Sequence, residues 1–182
     1  MAYSKVIIVL VLTYLLFACS SSIKDEHKEI VESWLGKEIV LLSLDQKGKS
    51  FGKDSVCKIV TRINGNCFPC LEDFKLWNPL ITRLGAKYEL PVYIYVVTAD
   101  SSKVQTILQS EMDFNHSVIY DLNDEFYKQN KLSKNSLYHT MLLNELNEVV
   151  LVGNPTRNNK LIELYLKEIE NRWRLKNNVE KN

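Results

Sequence analysis

Apolar residues along this chain form two kinds of pattern. Short, β-branched runs read as strands: S-V-C-K-I-V-T-R-I at 55–63, P-V-Y-I-Y-V-V-T at 91–98, S-V-I-Y at 117–120 and V-V-L-V at 149–152. E-I-V-L-L-S-L at 38–44, followed by the turn-like D-Q-K-G-K-S, and Y-H-T-M-L-L at 138–143 read the same way. Elsewhere the apolar positions recur every three or four residues. Ile30, Val31, Trp34 and Leu35 predict a short helix over 27–35 that stops at Gly36. Leu71, Phe74, Trp77, Leu80, Ile81 and Leu84 predict a long helix, with Pro79 expected to kink or interrupt it. Val104, Ile107 and Leu108 face inward on a helix that Ser101 or Ser102 can cap and that runs to Met112. Phe126 and Tyr127 fall in a short helix within 121–132, and Leu161, Tyr165, Ile169 and Trp173 mark a terminal one.

The order from residue 55 is β-α-β-α-β, a short helix, then β-β-α. Strands alternating with helices imply parallel pairing. Glu145-Leu146-Asn147-Glu148 joins the last two strands as a hairpin, which adds antiparallel strands. The predicted fold class is therefore α/β, with a central mixed β-sheet flanked by helices on both faces.

The first residues have a different character. Lys5 precedes thirteen mostly apolar residues, V-I-I-V-L-V-L-T-Y-L-L-F-A, and then Cys19. Thirteen helical residues reach only about 20 Å, short of a hydrocarbon core of about 30 Å. This is signal-peptide architecture. Leu16-Phe17-Ala18-Cys19 resembles the lipobox of bacterial lipoproteins, which implies cleavage after residue 18 and lipidation of Cys19. The alternative is an uncleaved anchor helix with an incidental cysteine. Both place the rest of the chain outside the cytoplasm, beside a membrane of the cell envelope. The expected organisation is a signal peptide over 1–18, a lipidated cysteine and polar tether over 19–26, one domain over 27–176 and a polar, fraying tail over 177–182.

Composition narrows the function. With 23 basic and 22 acidic residues the formal net charge is +1, and no clustered positive surface for nucleic acid is expected. The 46% hydrophobic content suits one globular domain with a true core. Outside a reducing cytoplasm, cysteines carry more meaning. Apart from Cys19 there are Cys57, Cys67 and Cys70. The last two lie in N-G-N-C-F-P-C-L-E-D-F, at a strand-to-helix junction. A cysteine at a helix start faces unpartnered N–H groups that favour thiolate. Pro69 fits the first turn, where its missing N–H is no loss. Glu72 and Asp73 favour the helix but oppose a nearby thiolate. The pair could be a redox centre, a structural staple or half of a metal site. The last needs two more ligands, and Cys57, His27, His116 and His139 form no second paired motif. Cys57 reads as a small core hydrophobe.

C-F-P-C at a strand-to-helix junction, followed by T-M-L-L-N-E-L-N-E-V-V-L-V-G-N-P at 140–155, resembles the thioredoxin-like superfamily. Its nearest plan is the TlpA/ResA-like branch of envelope lipoprotein thioredoxins, over roughly residues 36–175. The resemblance implies that Cys67 attacks a partner disulfide and Cys70 resolves the mixed disulfide. Phe68 and Pro69 would shape the site. Tyr138 falls where the family has a cis-proline, and Thr61 where many members have an acidic residue. Tyr138 and His139 should border the pair. His139 either stabilises the thiolate or shuttles a proton, or it is a strand histidine pointing elsewhere. The implied function is a membrane-anchored thiol–disulfide oxidoreductase. It would act on protein disulfides or thiols in the envelope and draw electrons from a membrane donor. It would need no metal and no dissociable cofactor. The alternative is a non-catalytic binding module on the same fold. Peroxide reduction ranks below both, because Thr61 and Arg62 do not make the arrangement it needs.

Overall fold

The computed structural model describes residues 26–42 and 55–179. The expected signal peptide, Cys19, nearly all of the tether and the turn at 45–50 lie outside the described residues. The chain divides into two compact units, Met1–Leu35 and Gly36–Asn182. In the first, helix α1 covers residues 26–34 and carries a Lys28–Glu32 pair one turn apart.

The second unit is built on a five-stranded sheet. Its strands are β1 (Cys57–Asn64), β2 (Val92–Val97), β3 (Ile119–Tyr120), β4 (Thr140–Asn144) and β5 (Val149–Val152), in spatial order β3-β2-β1-β4-β5. β1, β2 and β3 are parallel, with Ile59 opposite Val92 and Tyr95 opposite Ile119. β4 runs antiparallel to β1, and β5 antiparallel to β4. The helices are α2 (Phe68–Leu71), α3 (Phe74–Tyr88), α4 (Ser101–Ser110), α5 (Glu125–Asn130) and α6 (Asn159–Val179).

Alternation along β1 sorts its side chains between two faces. Cys57, Ile59 and Ile63 join Ile94, Val96 and Leu142 in a core with Phe74, Trp77 and Leu84 of α3, Val104 and Leu108 of α4, and Tyr165 and Ile169 of α6. On the other face Phe126 of α5 stacks on Tyr95, with ring centroids 4.1 Å apart. Each such large apolar side chain contributes roughly 1.5–3 kcal/mol on burial. Lys58 also points to this second face and is buried. Its Nζ donates to Asn147 Oδ1 at 2.6 Å, and burial holds its pKa below the usual lysine range.

The mixed sheet matches expectation, but several elements differ. The described part of 38–44 is not a strand: it makes a single antiparallel bridge, Glu38 to Glu148. Side chains take backbone groups of Val40 and Leu42. Asn130 Oδ1 accepts from Val40 N and Asn130 Nδ2 donates to Val40 O, while the Tyr95 hydroxyl accepts from Leu42 N. The long helix breaks at Glu72–Asp73 rather than at Pro79, which lies inside a continuous α3. There the N–H groups of Leu76 and Trp77 both turn to Asp73 O and start a new helix. α4 is capped by Asp100, whose carboxylate accepts from Lys103 N at 3.0 Å, not by Ser101 or Ser102. Tyr138 ends a 3-10 turn, Ser136–Tyr138, so β4 begins at Thr140. α6 stays helical to Val179, past the expected boundary at 176.

Candidate functional site

The cysteine pair sits just beyond the C-terminal end of β1. Gly65 is required there: its N–H donates to Val97 O at 2.7 Å, and a Cβ would meet Val96 Cγ1 at 2.8 Å and Val97 O at 3.0 Å. Asn64 Oδ1 accepts from Asn66 N, and Asn66 Oδ1 in turn accepts from Thr98 Oγ1, which ties the loop to the end of β2. Cys67 follows with extended backbone as the N-cap of α2, and its carbonyl accepts from Cys70 N at 2.9 Å and Leu71 N at 3.2 Å. The residues thus open one helical turn, not the long helix that the periodicity predicts. Only Leu71 of that turn is buried.

Cys67 and Cys70 form a disulfide across a Cα–Cα distance of 5.2 Å, within the range a bridge requires. Both are half-buried, and Phe68 between them is 48% exposed. Cys57 is the third cysteine of the described residues and is free. It is fully buried, and burial pushes its pKa up to about 12. It opens β1, whereas the pair follows its end, so roughly 20 Å of strand separates them. Cys57 is part of the core and takes no part in the site.

Two hollows flank the disulfide. On one side, Phe68 joins Asn66, Thr98 and Lys103 around about 330 Å³. On the other lies a groove of about 600 Å³ with Pro69, Cys70 and Asp73 on one wall and Ser136, Leu137 and His139 on the opposite one. Tyr138 does not line it: the side chain is buried, and Leu137, 60% exposed, takes the place at the rim. No cis peptide occurs among the described residues. Thr61, in the position of the expected acid, pairs its hydroxyl with that of Thr140 at 2.7 Å.

Each wall is fixed by charges. Asp73, at the break after α2, holds Arg157, which ends the 3-10 turn Pro155–Arg157 after β5. Arg62 of β1 donates from Nε and Nη2 to the two carboxylate oxygens of Asp124, both at 2.6 Å, and its guanidinium lies 5.2 Å from the centre of the Tyr127 ring. Arg62 Nη1 is 3.4 Å from His139 Nδ1, and His139 Nε2 is 2.7 Å from Ser133 O. Burial, more than any other cause, keeps the His139 pKa below the usual value. Its ring nitrogens are engaged away from the disulfide. The two ion pairs escape sequence reading, because their partners lie 84 and 62 residues apart and carry no local signature. Among the described residues no group of three or more His, Cys, Asp or Glu could hold a metal ion.

No protein-family model and no curated protein matches the chain. Solved structures do. A domain of a possible thiol-disulfide isomerase from Cytophaga hutchinsonii is 16% identical, with a TM-score of 0.54 over 75% of this chain and 96% of that one. A candidate thiol-disulfide oxidoreductase from Bacteroides vulgatus is 10% identical, with a TM-score of 0.52 over 64% and 75%. A candidate thiol:disulfide interchange protein, DsbE, from Chlorobium tepidum is 18% identical, with a TM-score of 0.50 over 64% and 82%. At these identities the likeness is one of fold, and the fold is thioredoxin-like.

Proposed function

We propose that the chain is a thiol–disulfide oxidoreductase of the cell envelope, anchored to a membrane through lipidated Cys19, that exchanges disulfides with partner proteins through Cys67 and Cys70. The observation that carries this reading is the Cys67–Cys70 disulfide itself, half-exposed at the lip of a groove at the C-terminal end of β1. A buried staple would not present its sulfurs there. A loop closed by four residues also restricts the unfolded chain little.

In the reduced state the Cys67 thiolate attacks one sulfur of a partner disulfide. A mixed disulfide forms and one partner thiolate leaves. The Cys70 thiolate then attacks Cys67 Sγ, restoring the Cys67–Cys70 bond and releasing the second partner thiolate. The partner gains two electrons and, once its thiolates are protonated, two protons. A dithiol donor at the membrane resets the pair by the same exchange. Phe68 and Pro69 expose the bond on one side, and the groove receives the partner chain on the other. The expected oxidising compartment agrees with the disulfide. The anchor in this reading is the lipid on Cys19, and among the described residues no helix is long and apolar enough to cross a membrane.

One observation favours the alternative of a non-catalytic binding module. The Thr61–Thr140 hydroxyl pair lies where a carboxylate would help move a proton. One experiment separates the two. A Cys70→Ser variant expressed in cells should accumulate mixed disulfides that disappear in the Cys67→Ser/Cys70→Ser double variant. Purified wild type, supplied with dithiothreitol, should reduce insulin disulfides faster than the double variant does. If neither happens, the exchange reading is wrong and the binding module stands.

A further inference from the structure

We infer that His139, in its neutral form, is a positioning residue that holds the groove wall opposite the cysteines. The inference rests on the exchange reading above and deepens it. Ser133 O can only accept, so the imidazole Nε2 that lies 2.7 Å from it carries the proton. Arg62 Nη1 can only donate, so Nδ1, 3.4 Å away, presents its lone pair. Both contacts select one tautomer of the uncharged ring. The side chain is 4% exposed.

The β1–β4 pairing brings Thr140 beside Thr61, and these two contacts extend that hold to the loop before β4. The bond to Ser133 closes the loop 133–139 on itself. Inside the loop, His139 N donates to Ser136 O, and Leu137 N donates to Asn135 Oδ1. The contact with Arg62 fastens that loop to β1, alongside the backbone bond from Arg62 N to His139 O at 3.2 Å. Arg62 is itself immobilised by Asp124 and by the Tyr127 ring. The loop presents Ser136 and Leu137 to the groove, facing Pro69 and Cys70. His139 therefore holds this wall of the groove in place through Ser133 and Arg62.

Protonation would place a hydrogen on Nδ1, pointed at a guanidinium that can only donate. The charged groups around the ring are Arg62 from β1 and Asp124 from the loop before α5. Tyr127 of α5 adds an aromatic edge with its ring centre 6.0 Å away. Asp124 is already engaged by Arg62, so the added charge has no free partner in this cluster. Acid should release the wall, and capture of a protein disulfide should weaken while the intrinsic reactivity of the thiols does not follow this group.

The test uses two substrates of the reduced protein: insulin, which must enter the groove, and the small aryl disulfide 5,5′-dithiobis(2-nitrobenzoic acid), which need not. His139→Ala should raise the KM for insulin about three- to tenfold, the effect of losing one or two hydrogen bonds, and leave the aryl disulfide rate unchanged. Should the alanine variant fail to fold, His139→Gln and the wild-type pH profile carry the test. Thiolate titration acts on both substrates and cancels in the ratio of their rates. In the wild type that ratio should fall as pH drops below the usual histidine value; in His139→Gln it should stay flat. A flat wild-type ratio from pH 8 to 5, or equal effects of substitution on both substrates, overturns the positioning role. If the wild type reacts with neither substrate, the exchange reading fails first, and the role of His139 with it.

Discussion

Cys57 gives a sharp quantitative expectation, because burial pushes its pKa from the 9 of an unperturbed thiol to about 12. The cause is desolvation: the side chain has no exposure, and Arg172 and Lys58 offset that burial only in part. In the unfolded chain the same thiol ionises near pH 9. Above that pH the unfolded state has lost a proton that the folded state keeps, so stability falls by about 1.4 kcal/mol per pH unit until the folded pKa is reached. Below pH 9 the thiol is protonated in both states and contributes no slope. Over pH 9–11 the loss from this one group is about 2 kcal/mol. Cys57→Ala removes the titration and a small amount of packing, so the variant should start less stable at pH 8 and lose stability less steeply. Urea unfolding followed by circular dichroism at pH 8, 9, 10 and 11 measures both curves. The thiol should also resist iodoacetamide in the native protein, since at pH 8 its ionised fraction is about a thousandfold below that of an ordinary thiol. Parallel stability curves for the two proteins above pH 9 would refute the reasoning. So would native alkylation of Cys57 at the rate of reduced Cys67 and Cys70.

Three more outcomes are expected. Phe126→Ala should cost about 3–5 kcal/mol in urea unfolding, because a fully buried ring stacked on Tyr95 leaves a cavity beneath α5. Gly65→Ala should destabilise by about 1–3 kcal/mol and slow insulin reduction, because the new Cβ must displace Val96 and the Val97 carbonyl and so shifts the loop before Cys67; a melting curve and a rate measurement together check it. Glu170 accepts from Tyr88, Lys87 and Arg174, which hold its carboxyl down to about 2. Its contribution is thus present above the ordinary carboxylate range and is lost as pH falls toward 2. Glu170→Gln should lower the melting temperature at pH 7 and converge with the wild type in acid.

How much of this was legible beforehand divides along a physical line. β1, β2 and the β4–β5 hairpin could be read because their alternation or apolar runs are local signals, and the cysteine motif because a strand visibly runs into it. The strand over 38–44 could not be rejected from sequence. Its apolar residues suit a strand, but whether a run becomes one depends on a free sheet edge, and here Asn130 and Tyr95 take the backbone groups instead. The break at Glu72–Asp73 was likewise hidden, because apolar periodicity continues through it and Pro79 offered a stronger local signal. The placement of Tyr138 depended on its turn. A 3-10 turn closed by Asn135 buries Tyr138 and exposes Leu137, whereas the family resemblance implied Tyr138 at the rim.

The same division separates reactivity from recognition in the site. The two sulfurs are three residues apart, and one tight loop and one helical turn suffice to join them. The groove that would select a partner is assembled from contacts no local segment contains: Arg157 reaches Asp73 across 84 residues, and Arg62 reaches Asp124 across 62. They are not equivalent. Arg157 is 61% exposed, so its pair is screened by water and salt and adds little stability; its effect is to hold the wall beside Cys70. The Arg62–Asp124 pair is largely buried, at 15% and 26% exposure, and it carries His139 with it. Removing Asp124 should therefore loosen the far wall more than removing Arg157 loosens the near one. Raising salt should mimic Arg157→Ala but not Asp124→Asn. Insulin reduction measured for both variants between 50 mM and 500 mM salt distinguishes the two walls. Equal salt dependence would mean that the buried pair does not set the groove.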